Sequence, residues 1–113
     1  MNYKYNFEKL EIWNLAIDLS LIVYELTSNF PSDEKFGITN QIRRASTSIS
    51  ANIAEGSSRS SLKERARYLQ ISYGSTLEVL NFCILSNKLG FLSDDNYNIL
   101  RSKTLELTNK INA

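Results

Sequence analysis

Apolar residues recur along the chain at steps of three and four, the repeat that gives a helix one apolar face. Ile12, Ala16, Leu19, Val23 and Leu26, broadened by Leu15 and Ile22, predict a first helix over about residues 7–28. Ser28-Asn29-Phe30-Pro31 ends it, because proline has no N–H and keeps the preceding residue out of the α region. Ile38, Ile42, Ala45, Ile49 and Ile53 predict a second helix over about 33–55. Its N-cap is expected at Ser32, with Asp33 and Glu34 in the first turn, where acid is favoured. Gly37 marks a ragged start, and Gly56 is expected to close the helix as a left-handed residue. Leu62, Ala66, Leu69, Tyr73, Leu77, Leu80 and Ile84 are the predicted buried face of a third helix over about 61–89. Ser61 and Glu64 have capping-box spacing at its start. Ser93-Asp94-Asp95 opens a fourth, over about 94–111, with Tyr97, Leu100, Thr104, Leu107 and Ile111 inward.

Nowhere is the two-residue alternation of a strand sustained, and no Asn-Gly or Asp-Gly hairpin signal occurs. Four helices of this length, each ~30 Å long, joined by short loops, predict an all-α fold. The expected architecture is an antiparallel up-down-up-down four-helix bundle forming a single domain over 1–113. Composition agrees: 113 residues, 42% apolar and 22% charged, suit one globular core. The N-terminus carries no apolar run behind a basic start, so no signal peptide is expected. Leu19 to Tyr24, the longest apolar stretch, is far short of the ~20 residues of a membrane span. A single cysteine excludes an intramolecular disulfide and fits a reducing cytoplasm.

The chain contains no histidine. That removes Ser-His-Asp and Cys-His machinery and every histidine-ligated metal site. Cys83 falls beside the core of the third helix with no base to activate it, and reads as a small buried hydrophobe. Asp94 and Asp95 read as first-turn acids. No GxxxxGK[ST] or GxGxxG occurs. The expectation is a non-enzyme with no catalytic residue, no metal and no cofactor.

The second helix carries a polar stripe beside its apolar one: Gln41, Arg44, Ser48, Asn52 and Glu55, at steps of three and four. Around it lie small residues, Ala45, Ser46, Thr47, Ser48, Ser50, Ala51 and Ala54, which let another backbone approach. The stripe reads as a hydrogen-bonded boundary layer of the bundle, as a subunit interface, or as a binding site. Gly74 sits mid-helix at a cost of ~1 kcal/mol relative to alanine. Close helix contact would explain it, with Gly74 and Ser75 facing the small residues of the second helix and Glu78 pairing with Arg44. These eight residues, Gln41, Arg44, Ser48, Asn52, Glu55, Gly74, Ser75 and Glu78, form the expected assembly and register set.

Net charge is +1, from 13 Lys+Arg against 12 Asp+Glu, but it is unevenly placed. Residues 1–31 carry two bases and four acids, and residues 43–67 carry six bases and two acids. The basic stretch contains Arg43, Arg59, Lys63, Arg65 and Arg67, the candidate phosphate contacts. It also contains a Ser-rich turn before a helix N-terminus, a natural anion site. A solvated basic loop is the alternative.

Several runs together resemble a known family: Phe7-x-x-Leu10-x-Ile12-Trp13-x-x-Ala16, then Phe30-Pro31-x-x-Glu34-x-Phe36-Gly37-Ile38-x-x-Gln41-Ile42-Arg43-Arg44-Ala45, then Ser48-Ile49-x-x-Asn52-Ile53-Ala54-Glu55-Gly56, and Tyr68-Leu69-x-Ile71-Ser72-x-Gly74-Ser75-x-x-Glu78. The chain resembles the four-helix-bundle proteins encoded in intervening sequences of 23S ribosomal RNA genes. Arg65 stands where that family often has an aromatic, and Ser72 where alanine is usual. The resemblance implies a homopentameric ring whose molecular function is poorly defined. A related branch, the accessory variability proteins of diversity-generating retroelements, is strongly basic and binds nucleic acid and a reverse transcriptase; this chain is nearly neutral. Two functions follow as expectations. One is a cytoplasmic homopentamer that binds RNA or a nucleic-acid-processing partner through its basic segment. The other is a protein–protein adaptor ring without nucleic acid, whose basic residues pair with acids of neighbouring subunits.

Overall fold

The computed structural model describes residues 3–112. Its helices are α1 (Glu11–Thr27), α2 (Ile38–Ser57), α3 (Leu62–Lys88) and α4 (Asp94–Ile111), and no strand occurs among the described residues. α1 and α3 each pack against α2 and α4, which closes a four-membered ring of neighbours. With connections of ten, four and five residues, that ring is an antiparallel up-down-up-down bundle. Its core joins Ala16, Leu19 and Val23 of α1, Ile42, Ile49 and Ile53 of α2, Val79 and Cys83 of α3, and Leu100 and Leu107 of α4.

The helix starts differ from the periodic pattern for local reasons. Residues Asn6–Lys9 form a separate 3₁₀ turn rather than the start of α1. Leu10 is extended (φ −77°, ψ 130°). Asn14 Nδ2 holds that break by donating to the carbonyls of Glu8 (3.1 Å) and Leu10 (2.9 Å). α2 begins at Ile38, not at residue 33, and Ser32 does not cap it. Ser32–Glu34 form a short 3₁₀ turn, Gly37 takes the N-cap position, and the Glu34 carboxylate accepts from the Ile38 N–H at 3.4 Å. The α2 end is also displaced, because Gly56 stays helical inside α2. Gly90 instead holds the left-handed position (φ 82°). After α3 the Phe91 N–H bonds the Ser86 carbonyl (2.9 Å) and the Gly90 N–H bonds that of Asn87 (3.0 Å), a Schellman ending.

α3 and α4 start as expected. Ser61 Oγ accepts from the Glu64 N–H and Ser93 Oγ from the Asn96 N–H, both at 3.1 Å. Ser61→Ala therefore loses about 1 kcal/mol of stability, read as a lower urea midpoint with unchanged slope.

The predicted faces of α1, α2 and α4 point inward, but that of α3 does not. Its buried residues are Ser72, Ser75, Thr76, Val79, Cys83 and Ser86. Leu62 is 81% exposed and Leu77 46% exposed. The helix is turned by roughly a quarter turn from the position that leucine content alone selects. Small residues on α3 and α2 let the two helices approach, and hydroxyls in the middle of α3 find partners: Ser72 Oγ donates to the Ile49 carbonyl (3.0 Å), Thr76 Oγ1 to that of Ser72 (2.8 Å), whereas Ser86 Oγ and, on α2, Thr39 Oγ1 have none.

Candidate assembly face and basic clusters

The polar stripe of α2 is divided between two tasks. In its middle, Ser48 Oγ and Ser75 Oγ share a hydrogen bond of 2.9 Å between α2 and α3. Asn52 Nδ2 donates back to the Ser48 carbonyl (2.8 Å) and to Ser48 Oγ (3.0 Å). These residues set the α2–α3 register as a hydrogen-bonded boundary layer. Glu55 instead pairs with Arg59 one turn on, Nη2 to Oε2 at 2.7 Å.

Toward the start of α2, Gln41 and Arg44 are exposed and face Glu78 and Phe82 of α3 across a groove of about 510 Å³. Arg44 and Glu78 share that groove, but the expected ion pair between them does not form. The two ion pairs among the described residues are Arg59–Glu55 and Lys110–Glu11. Gly74 departs from expectation. Ser75 faces α2, but Gly74 is exposed, and a Cβ placed on it meets no atom within 4 Å. Close packing within this chain therefore does not account for Gly74.

Gly74 belongs to an outer stripe of α3 that sequence reasoning missed. Ile71, Gly74, Glu78, Phe82, Leu85 and Leu89 follow steps of three and four, and Ile71, Leu85 and Leu89 are exposed. The signal was present as a second apolar period along α3, masked by the richer one. Phe36 was missed as well. It is 87% exposed at the mouth of the groove, in a turn without helical period.

The basic residues do not form one surface. Arg43 lies near the start of α2, whereas Arg59, Lys63, Arg65 and Arg67 cluster where α2 meets α3. The fourteen helical steps from Arg43 to Ser57 separate them by roughly 21 Å. Within the far cluster, the Arg59 guanidinium contacts the Tyr68 hydroxyl (3.1 Å) and lies 5.1 Å from that ring's centroid. The Tyr68 hydrogen bond, with the Glu55 charge behind it, pushes the Arg59 pKa further up. Arg65 Nε donates to the Arg59 carbonyl at 2.6 Å. Arg59 and Arg65 thus build the loop, while Lys63 and Arg67 extend into solvent. At the near end, Arg43 Nε donates to Thr27 Oγ1 (2.9 Å) and its guanidinium lies 4.6 Å from the Tyr24 centroid, clamping α1 to α2.

Cys83 is fully buried, and burial pushes its thiol up to about 12. Among the described residues no group of His, Cys, Asp or Glu side chains is placed to hold a metal ion, and no helix is long and apolar enough to cross a membrane.

In fold the chain is similar to a protein of unknown function from the S23 ribosomal protein family of Bacteroides thetaiotaomicron. The TM-score is 0.80 at 19% identity, over 88% of this chain and 94% of the other. No curated protein matches it. Residues 8–113, nearly the whole chain, match the model of the 23S rRNA-intervening sequence protein family. Together with the four-helix architecture, that match places the chain: it belongs to the 23S rRNA-intervening sequence protein family.

Proposed function

We propose that this protein acts without catalysis, as a homo-oligomer assembled through the outer face of α2 and α3. One observation carries the reading: α3 buries serines and threonines inside its own chain while Ile71, Leu85 and Leu89 stand exposed along the stripe that contains an open Gly74. Exposed apolar residues aligned with a glycine suit the approach of a second helix. Glu78, exposed and without an intrachain ion pair, supplies a charge for a basic residue of a second copy. A ring needs two different faces to meet, and the neighbouring α2 and α3 surfaces offer two. Five subunits are what the family resemblance implies. A ring of this kind would present its surface repeatedly to a partner, and the engagement of Arg59 and Arg65 in hydrogen bonds within the chain favours an adaptor role at the α2–α3 loop.

Light scattering tests the assembly. The native chain is expected at several times 12.9 kDa, near fivefold. Leu85→Glu is expected at the mass of one chain with unchanged helical circular dichroism, since Leu85 lies outside the core. A native chain of single-subunit mass overturns the reading.

A further inference from the structure

A second cavity opens on the other side of the α2 start, about 490 Å³ in volume and lined by Tyr24, Lys35, Phe36, Thr39, Arg43 and Arg44 among others. That size is within the ~300–1,000 Å³ usual for ligand sites. Three cations line it, no carboxylate does, and none of the three is ion-paired among the described residues. The neighbouring acid, Glu34, is turned onto the Ile38 N–H instead. Arg43 is already oriented, by Thr27 Oγ1 and by the Tyr24 carbonyl (Nη2 to O, 3.3 Å). The positive end of the α2 dipole adds to the same field. Thr39, which lines the cavity, is 7% exposed, and its hydroxyl has no partner. A buried hydroxyl without a hydrogen bond is destabilising unless something supplies one.

Aromatic rings are interleaved with these cations. Phe36 projects at the mouth, with Lys35 Nζ 5.6 Å from its centroid. Cations that track phosphates beside exposed rings that stack bases are how single strands are held without sequence preference. We propose that this cavity binds one nucleotide unit of a single-stranded nucleic acid, its phosphate between Lys35 and Arg44 and its base on Phe36. The site is complete within one chain and does not require assembly.

Fluorescence anisotropy of a labelled oligouridylate, titrated across a salt series, tests this directly. Lys35→Ala and Arg44→Ala are each expected to weaken binding and to lower the slope of log affinity against log salt by about one. Phe36→Ala is expected to weaken binding about tenfold at every salt concentration. The series is repeated in Leu85→Glu, so that loss of assembly and loss of the site read out separately. In parallel, inorganic phosphate is titrated while the Thr39 and Asn40 amides are followed by NMR. Oligouridylate affinity that is the same in all three variants as in the native chain overturns the proposal. So does phosphate moving these amides while the oligonucleotide does not, because the site is then one for free phosphate esters. Amides that move with both ligands, together with the variant losses, establish it.

Discussion

Gly56→Ala is expected to destabilise the protein, and Gly74→Ala to stabilise it, although both glycines lie inside helices. A Cβ on Gly56 falls 2.7 Å from Tyr68 Cβ, closer than carbon atoms pack. Tyr68 cannot yield easily, since its Cβ rides on the α3 backbone and its hydroxyl is held by Arg59. The end of α2 must then separate from the start of α3. Overpacking of this kind costs about 1–3 kcal/mol, and the better helix propensity of alanine returns only about 1. The net expectation is a loss of up to about 2 kcal/mol. At Gly74 the new methyl meets nothing within 4 Å, so the propensity gain of about 1 kcal/mol stands alone. Both are read by urea denaturation in the Leu85→Glu background, where a single chain is expected. On the proposed assembly the Gly74 gain should shrink or reverse in the native background, because a neighbouring subunit would occupy the open space there. Equal effects of the two substitutions in the Leu85→Glu background would contradict the packing described for α2 and α3.

Cys83 is expected to make stability fall steeply above pH 9. Burial raises its pKa from 9.0 to about 12, so the folded state keeps its proton where the unfolded chain has lost it. The unfolded state then binds fewer protons, and stability declines as pH rises. Below pH 9 the thiol is protonated in both states and contributes no slope. Between pH 9 and about 12 the full slope applies, and the loss reaches about 3 kcal/mol by pH 11. Other groups titrate in this range, so the test is a difference: the native slope minus that of Cys83→Ala. Parallel denaturation curves for the two chains from pH 8 to pH 11 would refute it. The same burial predicts that a thiol reagent at pH 8 modifies Cys83 only through unfolding.

Much of the bundle was legible from periodicity, and its failures have specific causes. On α1, α2 and α4 a single apolar stripe dominates, so burial follows hydrophobicity. α3 carries leucines on more than one side, and the side that packs is chosen by how closely α2 can approach. Ser72, Ser75 and Thr76 are buried because they are small and their hydroxyls find partners on α2 or on their own helix. Hydrophobicity ranks leucine above serine and has no measure of interhelical distance. The α2 polar stripe was recognisable, but its division into a register half and an open half depends on where Glu78 and Phe82 fall on the facing helix. The ionic expectation failed for a similar reason, since matching charges on two helices do not determine whether side chains meet.

Local chemistry along the chain determined the number of helices, their breaks at Pro31 and Gly90, the caps at Ser61 and Ser93, the core of three helices and the absence of histidine chemistry. These depend on residues within a turn or two of each other, and hydrogen-bond geometry over that range is set by residue type alone. Only the tertiary structure decided which face of α3 is buried, which glycine is crowded and which is open, and how the basic stretch is divided. A helix carries residues that are neighbours in sequence to opposite sides and opposite ends of the molecule. Arg43 and Arg59 share a charge run but lie at the two ends of α2, one clamping α1 and one building a loop. What looked like one basic segment in a nearly neutral chain is two clusters, separated by the length of the helix between them.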